Sequence, residues 1–160
     1  MFRITDQYFW NIVFTLFFIG LIVVAIIILD TEARLDYREL TLMDMTIMTL
    51  ATWRVIRLFV CDTVTKWFRE QFWNVNKVGK QLVLEKPASG PRRTIADLLS
   101  CPWCFGVWAS AWVVLLYLSS EVAQYIILFL AISAVATFLQ ILANLVGHRA
   151  ELLKRENELR

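Results

Sequence analysis

Two apolar runs, Tyr8–Leu29 and Val122–Val146, are each long enough to cross a lipid bilayer as a single helix. About 20 apolar residues, rising about 1.5 Å each, match the roughly 30 Å hydrocarbon core. A third run of similar length, Leu98–Ser120, contains no charged residue. Backbone polar groups in lipid must be satisfied within the segment, so each run is predicted to be a transmembrane α-helix.

The composition agrees with a membrane protein, because 59% of the 160 residues are hydrophobic and only 19% are charged. A soluble domain of this size has too little interior to bury so much apolar surface. The first run is too long for the apolar part of a signal peptide, and no small-residue cleavage pattern follows it. We therefore predict an all-α, polytopic membrane bundle.

Leu40–Val60 is a fourth, less regular candidate, because it contains Asp44, Arg54 and Arg57. These charges form no single polar stripe at 100° per residue, whereas a helix lying in the membrane interface needs one. The segment is therefore predicted to span, with its charges against protein neighbours. Four transmembrane helices are expected, and three is the alternative.

The basic residues indicate the orientation of these helices in the cell membrane. The loop from Cys61 to Ser100 carries seven: Lys66, Arg69, Lys77, Lys80, Lys86, Arg92 and Arg93. Residues 31–39 carry only Arg34 and Arg38, beside three acidic residues. The positive-inside rule then places the middle loop, the 149–160 tail and both termini in the cytoplasm. If residues 40–60 do not span, only the N-terminus changes sides.

The membrane domain is predicted to cover residues 1–148, with helices at about 8–29, 40–60, 98–120 and 122–146. Residues 62–73 have apolar and basic residues at helical spacing, which favours an amphipathic helix at the cytoplasmic interface. The alternative is a helix packed on the rest of the protein. Residues 74–93 are predicted to be a loop, Thr94–Asp97 has the spacing of a capping box at a helix start, and residues 149–160 form a charged helical tail.

A Cys-Pro-Trp-Cys motif, Cys101 to Cys104, marks the cytoplasmic start of the third long helix. Pro102 fits the first helical position, so Cys101 would cap the helix and Cys104 would lie in its first turn. Helix N-termini stabilise thiolates, and the CxxC spacing is that of a redox pair. The βαβ context of thioredoxin-like proteins is absent here, however. Packing of two small, inert cysteines is the alternative.

Zinc is a second hypothesis for the same end of the bundle. Cys61, Cys101, Cys104 and His148 are all expected at the cytoplasmic face, and Cys₃His is a tetrahedral zinc set. No spacing rule connects the CxxC pair to Cys61 or His148, and a lone His after a helix is commonly a favourable charge at its C-terminus. No cofactor other than this zinc ion is expected.

Several other residues of the membrane domain are candidates for structural or functional roles. Arg54 and Arg57 are candidates because charge within a membrane is costly, and Asp62 and Asp97 are the expected partners in an ionic cluster. Gly106 is expected to allow close helix approach. Trp103 and Trp108 are expected to be interfacial anchors or packing residues, and Gln140 and Asn144 to bond across helices.

The chain resembles a family of small bacterial and phage membrane proteins called Domain of Unknown Function 1360, some of which are labelled sporulation proteins. The resemblance covers about Leu40 to Tyr117. It depends on Arg54, Arg57-Leu58, Asp62, Arg92-Arg93 and Asp97, and on the run Leu98–Trp108, which includes Pro102, Trp103, Gly106 and Trp108. Cys61 is not a position of that motif. The resemblance implies these site residues but no reaction.

The sequence shows no hydrolytic triad, phosphate-binding loop or carboxylate dyad. We therefore expect a non-enzymatic scaffold or accessory subunit that contacts the lipid bilayer and self-associates or binds another membrane protein, without nucleic acid. A membrane thiol-redox or zinc protein that uses Cys101 and Cys104 is one alternative. A small channel or phage holin-like pore is the other.

Overall fold

The computed structural model describes residues 6–32, 40–78 and 81–158. The fold is all-α as predicted, with one short hairpin. Its elements are α1 (Asp6–Glu32), α2 (Leu42–Ile56), a π-helical segment (Arg57–Cys61), a 3₁₀ turn (Thr63–Thr65), α3 (Lys66–Glu70), β1 (Asn74–Val78), β2 (Gln81–Glu85), α4 (Pro91–Ser100), α5 (Pro102–Ser119) and α6 (Glu121–Glu158). The predicted basic-poor loop with Arg34 and Arg38 lies outside the described residues.

Three of the described helices, α1, α5 and α6, are long and apolar enough to cross a membrane. α2 is not among them, because its 15 residues extend only about 22 Å. The helical path nevertheless continues through the five residues of the π-helical segment. The structure therefore supports three candidate spans by length, and a fourth span at residues 40–60 stays a prediction.

The core of the bundle lies where α2 packs against α5 and α6. Its buried residues are Met48 and Ala51 of α2, Val113 of α5, and Ile127 and Ala131 of α6. Ala51 has no exposed surface at all. Small residues at such contacts let helix backbones approach closely, which membrane helices use in place of a hydrophobic driving force. α2, which carries the charged residues Asp44 and Arg54, is thus the central helix.

Side-chain contacts show the directions of the helices. α5 is antiparallel to α2, because Tyr117 hydrogen-bonds Asp44 while Gly106 lies against Ile56. α6 is parallel to α2, since Phe138 near its middle contacts Trp53 near the end of α2. The end of α2 and the start of α5 therefore lie at one end of the bundle, which we call the cysteine end.

The start of α1 also lies at the cysteine end. The Gln7 side-chain amide donates to Thr94 Oγ1 of α4 at 2.9 Å, and the Thr94 hydroxyl donates to Asn11 at 3.2 Å. About two helical turns after Asn11, Phe18 packs on Trp108 of α5 with ring centroids 4.6 Å apart. α1 and α5 therefore run in the same direction.

The segment after α2 is more broken than the predicted helix at 62–73. It consists of the 3₁₀ turn and the five-residue α3. Phe68 packs edge-on against Phe59, and the Arg69 guanidinium donates to the Phe59 carbonyl at 3.0 Å. This favours the alternative in which the segment packs on the protein, although Trp67 remains exposed.

Residues 74–93, predicted to be a loop, contain a hairpin. β1 and β2 pair antiparallel, with Val75 opposite Leu84 and Asn76 opposite Val83. β-branched and apolar residues in both strands favour this pairing. The loop was predicted from the Lys-Pro-Ala-Ser-Gly-Pro run that begins at Lys86, and this run follows the end of β2 at Glu85.

Two helix boundaries also differ from the predictions. α4 begins at Pro91, three residues before Thr94, and its N-cap is Gly90 in the left-handed region at φ 96°. A capping box occurs instead at the start of α2, where Thr41 and Asp44 cap each other's backbone N–H groups. Residues 98–100 were expected to begin the third long helix. They belong to α4, because the extended conformation of Cys101 separates α4 from α5.

Candidate functional site

The cysteine motif forms the junction between α4 and α5. Cys101 is extended at φ −117° and ψ 107°, and Pro102 occupies the first helical position of α5. The Cys104 backbone N–H donates to Cys101 Sγ at 3.3 Å, so the thiol caps the helix. This is the local geometry that the position of Pro102 predicts.

The two thiols of the motif are chemically different. The Cys104 side chain and the Cys104 backbone N–H, which lies 3.3 Å from Cys101 Sγ, hold the pKa of Cys101 below its ordinary value. Both cysteines, like Cys61, are free thiols. A sulfur that receives hydrogen bonds at a helix start is favoured as the thiolate, which is the nucleophilic form.

A cavity of about 530 Å³ opens beside the motif, between α1, α4 and α5. Its aromatic lining comes from α1 and α5, most of its polar lining comes from the α4 side with Asn11 and Thr15 of α1, and both cysteines line it. The lining residues are Asn11, Phe14, Thr15 and Phe18 of α1, Lys86, Thr94, Asp97, Leu98 and Ser100, and Cys101, Cys104 and Trp108. The sequence did not predict this cavity, because α1 contributes a third of its lining from residues far away in the chain.

Asp97 is the centre of an ion-pair cluster at the polar side of the cavity. Lys86 Nζ lies 2.7 Å from one carboxylate oxygen, and Arg93 Nε lies 2.9 Å from the other. Burial opposes ionisation of Asp97, but the hydrogen bonds and charges of Lys86 and Arg93 outweigh it and hold the pKa of Asp97 below its usual value. Arg93 also donates to the Pro87 carbonyl, which fixes the chain before α4.

Arg54 pairs with Asp62, as predicted. Arg54 Nη1 lies 2.9 Å from Asp62 Oδ2, and Arg54 Nε donates to Ser133 Oγ of α6 at the same distance. Both partners of the ion pair are largely buried, at 16% and 25% side-chain exposure. The pair therefore connects the end of α2 to the following segment and to α6.

Arg57 differs from Arg54, three residues earlier. Its guanidinium lies over the Trp53 ring at 5.8 Å, and its buried Nε has no hydrogen-bond partner among the described residues. The predicted single ionic cluster is thus divided. Arg54 binds Asp62, Asp97 binds Arg93 and Lys86, and Arg92 donates to the Gln71 carbonyl at 2.8 Å.

Three further motif residues of α5 have distinct environments. Gly106 faces α2, and a Cβ atom added there would lie 3.2 Å from Ile56 Cδ1. Trp108 contacts Phe17 and Phe18, so it is the docking residue for α1. Trp103 points outward, with 82% exposure. Trp108 therefore fits the packing interpretation and Trp103 fits that of an anchor.

The four residues predicted as zinc ligands are not gathered into a site. Across residues 6–32, 40–78 and 81–158, no three His, Cys, Asp or Glu side chains are placed to hold a metal ion. α6 continues through His148 instead of ending before it, so this side chain is exposed on a helix surface. Gln140 and Asn144, expected to bond across helices, bond each other along α6.

Two polar contacts were missed by the sequence reasoning. Tyr117 donates to Asp44 at the end of the bundle opposite the cysteines, and Asn11 and Gln7 of α1 hydrogen-bond Thr94. The available signal was the presence of Gln7, Asn11 and Asp44 at or near the ends of apolar runs. Such residues mark helix contacts, but the sequence does not name their partners.

Comparison with known proteins identifies the family. The family model described as "Protein of unknown function (DUF1360)" matches residues 47–143. This match reaches beyond the predicted resemblance at Leu40–Tyr117 and includes much of α6.

Two relatives come from Bacillus subtilis (strain 168). "Sporulation protein YjcA" is 31% identical over 106 residues, which cover 61% of this chain and 88% of the relative. "UPF0713 protein YngL" is 28% identical over 103 residues, which cover 64% of this chain and 79% of the relative. No solved structure matches the chain.

Proposed function

The chain belongs to the DUF1360 family, and from this premise we propose that it is an integral membrane scaffold or accessory subunit. In this proposal α1, α5, α6 and the extended α2 cross the cell membrane. The polar groups of α2 hold the bundle together from inside, and surfaces outside the bundle bind a membrane partner.

Membrane integration is supported by the outward faces of the long helices. α1 exposes large apolar residues along its length, including Leu16, Phe17 and Ile27, each more than half exposed. α6 does the same with Phe129 and Ile132. Apolar patches of this extent are rare on soluble monomers and are the expected surface toward lipid.

A cytoplasmic location of the cysteine end is supported by its charge. Arg69, Lys86, Arg92 and Arg93 all lie in the segment that connects α2 to α5 at that end. A fourth span by α2 is supported by the pairing of its charges inside the protein, Asp44 with Tyr117 and Arg54 with Asp62. Paired intramembrane charges cost far less than charges facing lipid.

The observation that carries the scaffold proposal is the length of α6. Its 38 residues extend about 57 Å, nearly twice the thickness of the hydrocarbon core. Every residue from Phe138 to Glu158 is exposed. We call Gly147–Glu158 the α6 arm. A helix that extends beyond its own bundle presents a surface on which another protein can pack.

The pattern of the α6 arm favours a different protein over a second copy. Leu152 and Leu153, both more than half exposed, lie on the same side of the helix as Arg149 and Glu156. Two copies in one membrane would run parallel, so Arg149 would face its own equivalent and Glu156 would face its own. Like charges facing each other weaken such pairing, whereas a partner with the opposite charges would strengthen it.

Site-specific photo-cross-linking in native membranes tests this proposal. A photoreactive amino acid replaces Leu152, and in a matched variant it replaces Lys154 on the opposite side of the arm. We expect a discrete protein adduct from position 152 and a much weaker one from position 154. The adduct is identified by mass spectrometry and by the mass it adds to this chain.

The outcomes separate the partners. An adduct with a different membrane protein supports the accessory-subunit form, and an adduct of twice the chain's mass supports self-association. Equal labelling of lipid from both positions would show that the arm lies on the membrane surface, and the scaffold proposal would fail. Dye leakage from liposomes that contain the protein would favour the channel or holin-like alternative instead.

A relative's name favours a role in spore formation as a second candidate at the level of the cell. YjcA is named a sporulation protein and is 31% identical to this chain. The test is deletion of this chain's gene in a spore-forming host, followed by counting of heat-resistant spores. An unchanged number of heat-resistant spores would exclude a role in spore formation and would leave the scaffold proposal unaffected.

A further inference from the structure

The cavity at the cysteine end has an aromatic part within the spans of α1 and α5, where Asn11 and Thr15 also lie, and a charged part outside them. Phe14 and Phe18 lie within the span of α1, and Trp108 lies in the second turn of α5. Lys86 and Thr94, at the other side of the cavity, lie outside the spanning helices. A molecule that fits has an apolar part at membrane depth and a polar part near the surface.

Cys101 and Cys104 lie at the boundary between these two halves. Cys101 is the N-cap of α5 and its Sγ accepts from the Cys104 backbone N–H at 3.3 Å, so both thiols belong to one helix start in the reduced protein. Both line the cavity, whereas Cys61 does not. Two adjacent thiols can lose two electrons and two protons together when they form a disulfide.

We propose that Cys101 and Cys104 form a redox-active dithiol that reduces a quinone bound in this cavity. A quinone is a membrane-soluble acceptor of two electrons and two protons, with a ring that stacks on aromatic side chains and two carbonyl oxygens that accept hydrogen bonds. Phe14, Phe18 and Trp108 match its ring and tail. This inference does not depend on the scaffold role.

The reaction moves two electrons and two protons from the two thiols to the quinone. The Cys101 thiolate adds to the quinone ring, and the Cys104 thiol loses its proton and attacks Cys101 Sγ. The S–S bond forms as the bond from sulfur to the ring breaks, and that electron pair leaves on the ring oxygens. Two protons complete the hydroquinone. A thiol compound then reduces the disulfide and becomes a disulfide itself, which restores the dithiol.

The hydrogen bonds to the Cys101 sulfur assign it as the attacking thiol, because they lower its pKa and raise its thiolate fraction near neutral pH. Cys104, which donates these hydrogen bonds, is the resolving thiol. The volume of about 530 Å³ suits a substituted ring with part of a tail. The apolar inner wall distinguishes such a ligand from a soluble peptide disulfide.

The test uses the full-length, pre-reduced protein in detergent or nanodiscs without oxygen. Decylubiquinone is the probe, because its fully substituted ring does not form stable adducts with thiols. We expect one hydroquinone per chain, seen by absorbance, and the loss of two hydrogens from the protein, seen by mass. Cys101→Ser and Cys104→Ser abolish both signals, while Cys61→Ser, the matched thiol control, leaves them unchanged.

A cavity variant connects the reaction to this site. With excess dithiothreitol as the reductant, Phe18→Leu is expected to raise the quinone concentration needed for half-maximal turnover. Phe129→Leu, an identical change on the outward face of α6, leaves it unchanged. An unchanged thiol titre in the wild type, or equal effects of the two Phe variants, would overturn the proposal. Cross-linking by the α6 arm is unaffected by either result.

Discussion

α1 and α2 are helices of opposite character in one bundle. α1 has 27 residues, apolar throughout its middle, and of its described side chains only Leu29 is buried. α2 has 15 residues with two charged side chains, yet it contributes Met48 and Ala51 to the core. The more apolar helix of the two faces outward, and the more polar one lies at the centre.

In the membrane arrangement that we propose, the difference follows from the solvent of each surface. Lipid tails are as apolar as leucine, so burying an apolar residue against protein gains little over leaving it in lipid. A charged or hydroxyl group gains much from a protein partner because lipid offers it none. The polar residues of α2 are therefore what draws it to the centre of the bundle.

The largest expected effect comes from breaking the Arg54–Asp62 pair. Arg54→Ala removes the partner of Asp62 and the donor to Ser133, and is expected to lower the free energy of unfolding by about 2–3 kcal/mol. Leu16→Ala, at an outward position of α1, is the control and should change it far less. Unfolding by a denaturing detergent, followed by circular dichroism, measures both.

A double variant tests whether the effect of Arg54→Ala comes from its ion pair with Asp62. In the double variant Arg54→Ala with Asp62→Ala, neither charge is left without its partner, so the combined loss should be smaller than the sum of the two single losses. Strictly additive losses would show that the pair contributes little to the bundle.

Arg57→Ala extends the comparison to the π-helical segment that follows α2. Its guanidinium has only the Trp53 ring as a described partner, so the variant should lose about 0.5–1 kcal/mol of unfolding free energy. If Arg57 serves a partner, the variant should also reduce cross-linking from position 152 or the mass of the assembly in native membranes. Unchanged assembly would count against the scaffold proposal.

Two glycines provide a matched test of inward and outward surfaces. Gly106 of α5 faces Ile56, which is 3.2 Å from the position of an added Cβ, whereas Gly20 of α1 has open space around it. Gly106→Ala is expected to cost about 1 kcal/mol of unfolding free energy, because Ile56 must move by a few tenths of an ångström. Gly20→Ala should be neutral or slightly stabilising.

A second substitution tests the reason for the Gly106 effect. Combining Gly106→Ala with Ile56→Val removes the methyl group that lies in the way, so part of the loss should be recovered. If Gly20→Ala costs as much as Gly106→Ala, the outward assignment of α1 would be wrong.

The sequence predicted the long helices and the α5 cap, and the reason is physical. Apolar runs such as Tyr8–Leu29 are set by the bilayer thickness, and Pro102 fixes a helix start by its own covalent geometry. Neither depends on which helix lies beside which. The family resemblance was confirmed as well, because its motif is recognised from the order and spacing of residues along the chain.

What depends on long-range pairing was not predictable in the same way. Lys86 lies 11 residues before Asp97, and only the path of the chain between β2 and α4 brings it there. Asn11 and Phe18 line the cavity with Trp108 because α1 packs beside α5, which a single sequence does not state. The partners of Asp44 and Arg54 across helices were missed or only half identified for that reason.

The smallest expected effect concerns Asp97, whose ion pairs are more exposed than that of Arg54 with Asp62. The pKa of Asp97 is lowered in the folded protein, so its contribution to stability is present above its ordinary pKa of about 3.9. That contribution is lost as the pH falls through the lower folded value. Because Asp97 is 43% exposed, solvent screening limits it to about 1 kcal/mol or less.

Asp97→Asn tests this assignment. The variant should unfold at a lower temperature than the wild type at pH 6, and the two should converge as the pH falls below 4. Asp62→Asn, in the more buried Arg54–Asp62 pair, should lose more unfolding free energy at pH 6, because its partner Arg54 is only 16% exposed. Equal losses of stability in the two variants would contradict this explanation. Burial would then not account for the difference between the Arg54–Asp62 pair and the more exposed ion pairs of Asp97.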